Sequence, residues 1–321
     1  MLSRTADHLF WMARYIERAE NTARMLDANY RMSLLPQSEE YATSSWHAML
    51  TISELSEVYT AQHPHMTSRD VIAFMSRDAR NPSSILSCLY AARENARAVR
   101  FEMTTELWEA INTTWLECQR MLEEGILERD PGEFLEWVKF RSHLSRGVEL
   151  GTMARDAAFY FIRLGTFIER ADNTARILDM KFQMREQQPG EGVYSLDYYH
   201  WVAVLNSVSA FEAYRKVYRD VITPGRVADL LISHRDWPRS LVANLEAIVH
   251  VIARLHIAGA AQTGHFAGQL RAELRDTHIS NILHDGLHAW LTRFLARINE
   301  LATRASQDFM MPTAQQRAPA N

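Results

Sequence analysis

An all-α fold, a helical bundle built from two tandem copies of one unit, follows from three observations. First, Tyr15-Ile16-Glu17-Arg18-Ala19-Glu20-Asn21-Thr22-Ala23-Arg24-Met25-Leu26-Asp27 returns as Phe167-Ile168-Glu169-Arg170-Ala171-Asp172-Asn173-Thr174-Ala175-Arg176-Ile177-Leu178-Asp179. Ten of the thirteen positions are identical and the other three are conservative; ordinary residue usage would give about one match. Second, only 12 Gly and 9 Pro occur in 321 residues, with 47% hydrophobic and 23% charged residues, so helical periodicity is seldom interrupted. Third, that length at roughly 150 residues per folding unit gives two units. The expected architecture is two pseudo-twofold-related repeats of about five helices each, residues 1–151 and 152–306, followed by a disordered tail at 307–321.

The first helix starts at Ser3 or Thr5, either of which caps free backbone N–H groups, and runs to about Leu35 before Pro36. At 100° per residue Met12, Tyr15, Ile16, Ala19, Ala23, Leu26 and Tyr30 form its apolar stripe, and Glu17, Asn21 and Arg24 its polar one, flanked by Arg14 and Arg18. After the polar break at Pro36-Gln37-Ser38-Glu39-Glu40, a second helix carries Trp46, Leu50 and Leu55 and ends near His63-Pro64. A short helix spans about Ser68 to Arg77. Pro82 then opens a helical stretch from Ser83 to Glu124 that exceeds an ordinary helix and is expected to divide near Glu102 to Thr105. Gly125 ends it, and Asp130-Pro131 starts the helix that closes the first unit near Gly151.

The second unit repeats this order. Trp201 and Leu205 answer Trp46 and Leu50, while Val227, Leu231, Pro238 and Leu245 answer Val71, Met75, Pro82 and Leu89. Leu241 to Ala261 is the most apolar run, but Glu246, His250, Arg254 and His256 break it, so it is a buried helix and no membrane span. The last helix runs from about Ser280 to Ala305.

A net charge of −4 excludes a global basic field for nucleic acid or anionic membrane. Lysine occurs only at Lys139, Lys181 and Lys216, leaving arginine to supply most positive charge; a GC-rich genome or a need for bidentate pairing would each explain that bias. Cys88 and Cys118 are too few for a disulfide framework, and no secretion signal is visible, which points to the cytoplasm. Gly-rich phosphate loops, Cys-x-x-Cys pairs and nucleophile elbows are absent, so no cofactor is expected. His284 and His288, four apart on one expected helix face, have the spacing of a shared zinc site but lack an obvious third ligand; no metal is assigned.

The candidate site is the duplicated polar face: Glu17, Arg18, Asn21 and Arg24, with Glu169, Arg170, Asn173 and Arg176. A merely wet surface has no need of the same polar side chains in the same order twice. Three readings stay open. The two helices pack on each other, with Glu17 meeting Arg176 and Glu169 meeting Arg24; or they line a polar cleft in which arginines clamp a carboxylate or phosphate, asparagine orients it and glutamate takes an amine; or the glutamates act as general acid and base.

The motif Ile-Glu-Arg-Ala-(Glu/Asp)-Asn-Thr-Ala-Arg, at Ile16 to Arg24 and Ile168 to Arg176, resembles the bacterial Alpha-E family, a helical domain named for its Glu-Arg motif. The resemblance covers Met1 to about Ala305, with the Glu-Arg pair at Glu17-Arg18 and Glu169-Arg170. Members of that family are fused to, or encoded beside, a circularly permuted ATP-grasp ligase, often with a transglutaminase-like cysteine peptidase and sometimes a proteasome-like hydrolase. The resemblance therefore implies a helical partner of an ATP-grasp amide or peptide ligase, which binds a small peptide or amino-acid acceptor or shapes its site. A stand-alone enzyme with a central Glu/Arg cleft is the alternative.

Overall fold

The computed structural model describes residues 3–35, 39–186, 194–255 and 261–310. All regular structure among them is helical. In order the α-helices are α1 (Ser3–Ser33), α2 (Glu39–Ile52), α3 (Ser56–Thr60), α4 (Ser68–Arg77), α5 (Ile85–Ala98), α6 (Thr105–Glu123), α7 (Ile126–Arg129) and α8 (Pro131–Thr152). There follow α9 (Ala157–Glu186), α10 (Tyr194–Ser207), α11 (Phe211–Tyr218), α12 (Pro224–Ser233), α13 (Leu241–Leu255), α14 (Ala261–Asp276), α15 (Ile279–Asp285) and α16 (Leu287–Ala305).

Local chemistry sets the boundaries. Thr67 caps α4 by accepting from the Asp70 N–H at 3.1 Å, and returns a bond from its hydroxyl to the Asp70 carboxylate at 2.7 Å. Ser84 caps α5 through the Ser87 N–H, Thr104 caps α6 through Leu107, and Asp130 caps α8 through Glu133, with Pro131 in the first turn where no N–H is needed. The expected division of the stretch 83–124 falls at a 3-10 turn, Arg100–Glu102. Gly125, at φ +72°, takes the left-handed conformation between α6 and α7.

Several expectations are corrected. Among the described residues each half carries eight α-helices, α1–α8 and α9–α16, where about five were expected, because short helices form at the turns between the long ones. The last helix is two: Gly286, at φ +102°, separates α15 from α16, so His284 and His288 do not share a helix face. The second helix likewise ends at Ile52, and α3 is a separate turn after Glu54, whose φ is +58°. Of the expected tail, the first four residues belong to a π-helical turn, Ser306–Met310, that buries Phe309 and Met310. Residues 311–321, His256 and residues 36–38 of the polar break lie outside the described residues, while Glu39 and Glu40, expected in that break, open α2.

Two long helices, α1 and α9, form the middle of the bundle. They pack on each other; α5, α8 and α10 lie against α1, and α13, α16 and α2 against α9. Enclosure explains why α1 is buried on its polar as well as its apolar stripe, with every residue from Ala19 to Asn29 inside. The two helices approach closely at Gly165, where an added Cβ would stand 2.3 Å from the Phe10 carbonyl oxygen. The buried apolar side chains form one core, continuous from Ala6 on α1 to Met310.

Candidate functional site

Enclosing α1 and α9 forces their charged residues to find partners inside the protein, because an unpaired buried charge is far costlier than a paired one. Glu17, 1% exposed, accepts from Arg170 at both oxygens: Nε to Oε1 and Nη2 to Oε2, each 2.8 Å. Glu169 accepts from Arg18 in the same manner, Nε to Oε1 at 2.6 Å and Nη2 to Oε2 at 3.1 Å, with Arg14 Nε adding a bond of 2.7 Å to Oε2. The Glu-Arg pair of each helix thus grips that of the other through planar two-point contacts that a lysine could not make.

The expected pairing of Glu17 with Arg176 and of Glu169 with Arg24 is not what occurs. Arg24 and Arg176 stand two turns from the glutamate of their own helix, about 10 Å along the axis. Each reaches back one turn instead: Arg24 Nε donates to Glu20 at 2.8 Å, and Arg176 Nε to Asp172 at 2.7 Å. Arg24 also bonds Ser209 and His143, and Arg176 also bonds Glu54 at 2.6 Å.

Around Glu17 the charge network is filled. Arg239, in the turn before α13, donates to Glu17 Oε1 and Asn21 Oδ1 at 3.0 Å each and to Glu20 Oε1 at 2.5 Å. Arg146 of α8 bonds Glu17 at 3.0 Å and also Glu20, which takes a further bond from Ser142 at 2.6 Å. Burial alone would raise the Glu17 carboxyl, but Arg170, Arg239 and Arg146 outweigh it and hold it at about 2. Glu20 and Glu169 are lowered against the same burial penalty by their own arginines.

Around Glu169 the arrangement is open. A polar cavity of about 210 Å³ is lined by Arg18, Asn21, Glu169, Asp172, Asn173 and Arg176 from the two central helices, and by Glu54 and Ser83 among its outer walls. Two deeply placed polar atoms there have no hydrogen-bond partner among the described residues: Oδ1 of Asp172 and Nδ2 of Asn21. Burial raises the Asp172 carboxyl although Arg176 opposes it.

Seven of the eight candidate residues, Glu17, Arg18, Asn21, Glu169, Arg170, Asn173 and Arg176, therefore meet at the junction of α1 and α9 or line the cavity beside it. Arg176 closes one cavity wall, and Arg24 belongs to the filled side. Arg14, Glu20, Arg146 and Arg239 complete the network and were not anticipated. Glu20 and Arg14 stood in or beside the repeated stretch; for Arg239 and Arg146 the sequence offers no signal that separates them from surface arginines. His288 bonds Asp179 at 2.7 Å and His284 its neighbour Asp285 at 3.0 Å, and the described residues contain no group of three metal-ligating side chains.

No helix among the described residues is long and apolar enough to cross a membrane. Among relatives, uncharacterised proteins of Mycobacterium bovis and of two strains of Mycobacterium tuberculosis are 22–23% identical over 92% of this chain. The chain spans about a third of the length of those relatives, 35%. No solved structure matches. Residues 1–310 match the Alpha-E family, described as a predicted alpha-helical domain with a conserved ER motif. The chain belongs to the Alpha-E family, and the Glu-Arg pair stands in it twice, each pair gripping the other across its two central helices.

Proposed function

We propose that this chain is the acceptor-binding helical companion of an ATP-grasp amide or peptide ligase, and that the cavity beside Glu169 is where a small amino-acid or peptide-like group sits. The observation that carries this reading is the cavity itself. It lies against the repeated motif and is polar, and two of its lining residues, Asp172 and Asn21, each hold a buried polar atom with no partner among the described residues. Such convergent polar groups in a concave site are what a small polar ligand needs for orientation. The ligase as partner rests on the company kept by the Alpha-E family, and a cytoplasmic setting on the two unpaired cysteines.

The reading includes two pseudo-twofold-related repeats, residues 1–151 and 152–306. In its support, α1 is flanked by α5, α8 and α10 as α9 is by α13, α16 and α2. Thr67 and Thr223 cap α4 and α12 in the same way, and Ser84 and Ser240 do so before α5 and α13. Trp46 and Trp201, Leu50 and Leu205, and Val71 and Val227 are each buried alike.

General acid or base chemistry at Glu17 and Glu169 finds little support. The Glu17 carboxylate, held at about 2, is a weak base, Glu169 is lowered by Arg14 and Arg18, and each oxygen of both already accepts from arginine. The test is reconstitution: the chain is mixed with an Alpha-E-associated ATP-grasp ligase, and co-elution and acceptor-dependent ATP hydrolysis are measured. Co-elution with increased turnover is expected. If neither binding nor turnover changes, the companion role is overturned.

A further inference from the structure

The two sides of the central helix pair differ in the residue that follows a proline in one turn. Before α13 the chain runs Trp237-Pro238-Arg239-Ser240, and before α5 it runs Asn81-Pro82-Ser83-Ser84. The turns are built alike. The Ser240 N–H bonds the Trp237 carbonyl at 3.0 Å and the Ser84 N–H bonds the Asn81 carbonyl at 3.1 Å, after which each serine caps its helix. Arg239 and Ser83 hold the same place in this turn, directly after the proline.

Each faces the acidic stripe of the opposite unit. Arg239 reaches Glu17, Glu20 and Asn21 of α1. Ser83 lines the cavity whose other wall carries Glu169, Asp172 and Asn173 of α9, the residues that stand in the repeat where Glu17, Glu20 and Asn21 stand. Where Arg239 gives its guanidinium to Glu20, the short hydroxymethyl group of Ser83 leaves open space, and Asp172 keeps an oxygen with no partner among the described residues.

We propose that the cavity is a guanidinium site: a ligand bearing an arginine-like cation places it between Glu169, Asp172 and Asn173 as Arg239 places its own between Glu17, Glu20 and Asn21. The proposal rests on the reading that this cavity holds the ligand and narrows that ligand to one chemical class. Charge and geometry agree with a cation. Arg18 and Arg176 of the lining are turned onto Glu169, and onto Asp172 and Glu54, and the lining carries three carboxylates against these two guanidiniums. An anion would meet the carboxylates of Glu54, Glu169 and Asp172, whereas a planar guanidinium pairs with Asp172 and, with its second edge, with Glu169. Asn21 bridges the two sides: its side chain is among the cavity's lining residues, its Oδ1 accepts from Arg239, and its buried Nδ2 has no partner among the described residues.

The experiment titrates L-arginine amide, and separately L-citrulline amide, into the full chain by calorimetry, with thermal unfolding as a second readout. Citrulline has the same shape without the charge. Arginine amide is expected to bind and to raise Tm with concentration, while citrulline amide does neither. Asp172→Asn, which keeps the shape, should weaken arginine amide at least about tenfold. Ser83→Arg should abolish its binding and raise the Tm of the free protein by supplying the cation from within. An end-capped Gly-Arg-Gly peptide presents the same cation within a chain, and whichever of it and arginine amide binds tighter identifies the source. Equal binding of arginine and citrulline amides, no binding of arginine amide, or full binding to Asp172→Asn would each overturn the guanidinium site. Ser83→Arg tested with the ligase separates the two readings. Turnover lost in this variant, with arginine amide failing to bind the unaltered chain, removes the guanidinium and leaves the cavity's role standing. Turnover retained, with arginine amide binding intact in the unaltered chain, does the reverse.

Discussion

Arg18 on α1 holds Glu169 on α9 at two points, 2.6 and 3.1 Å, in the same way that Arg170 on α9 holds Glu17 on α1. Because the two glutamates and two arginines are consecutive in sequence, each helix is donor and acceptor at once. Sliding one helix by a turn would break both contacts and leave four charges inside the protein. A hydrophobic pair of equal volume would pack as well, but it would fix the register of the two helices less firmly.

Glu17→Gln tests the size of that constraint. The substitution keeps the shape but leaves Arg170, Arg146 and Arg239 around a neutral amide. A loss of about 3–5 kcal/mol is expected in urea unfolding, the range for breaking one side of a buried pair. Arg31→Ala removes an ion pair whose arginine side chain is 61% exposed, and should shift stability by less than about 1 kcal/mol. Comparable effects from the two variants would mean that the central network does not lock the bundle.

Acid should unfold the protein through the same residues. Glu17 titrates at about 2 in the folded chain against an ordinary value of 4.5, and Glu20 and Glu169 are lowered too. A carboxylate lowered on folding contributes stability that is complete above its unfolded value and is lost as pH falls through its folded one. The contribution of Glu17, about 3 kcal/mol, should therefore disappear between pH 4.5 and 2. Circular dichroism against pH should show a cooperative loss of helix in that window, and Arg170→Met should move its midpoint upward. A midpoint unmoved by that variant would disconnect acid unfolding from the network.

Gly165→Ala distinguishes close packing from helix propensity. In an exposed helix this change stabilises by roughly 0.5–1 kcal/mol. Here the new methyl would lie 2.3 Å from the backbone oxygen of Phe10 and 3.2 Å from Cβ of Ala13, so the central helices must separate. A net loss of about 1–3 kcal/mol is expected by thermal unfolding, and a stabilised variant would refute the close approach.

The helical class and most boundaries were legible because local chemistry writes them. The helix Ser68–Arg77, the start at Pro131 and the division after Glu102 all follow from caps, proline and length. The repeated stretch was legible as a site because polar identity on a buried helix needs partners. Which arginine meets which glutamate was not, since spacing along one helix says nothing of where a second helix crosses it. Arg239 was hidden for a related reason: an arginine in a turn after proline looks the same whether it faces water or a buried carboxylate. Gly286 shows the opposite lesson. The i, i+4 spacing of His284 and His288 carries meaning only if the helix is continuous, and a glycine at φ +102° interrupts it.

Cys88 and Cys118 should act as reporters of unfolding. Both are buried, and burial pushes each thiol up to about 12, so little thiolate forms at neutral pH. A thiol reagent at pH 8 should leave the native protein unlabelled, with labelling appearing only as urea opens the core. Rapid reaction of either cysteine in the native protein would contradict the packing of α5 or α6.

Glu149 should make the protein less stable as pH rises, opposite in sign to Glu17. It lies 5% exposed on α8; its Oε1 has no hydrogen-bond partner among the described residues, and Arg163 Nη1 is 3.8 Å away, too far to bond it. Burial raises its carboxyl to about 7, although Arg163, Arg146 and Arg170 all oppose the shift and only Glu17 adds to it. A carboxyl raised on folding contributes stability that is complete below its unfolded value, about 4.5, and is lost as pH rises through its folded value. Above pH 7 the wild type therefore carries an ionised, poorly bonded carboxylate at a cost of up to about 3 kcal/mol. Glu149→Gln removes that cost. Its Tm should exceed that of the wild type at pH 8 and converge with it at pH 5, and a gap independent of pH would mean that Glu149 is ionised throughout the range and that Arg163 compensates it without a hydrogen bond.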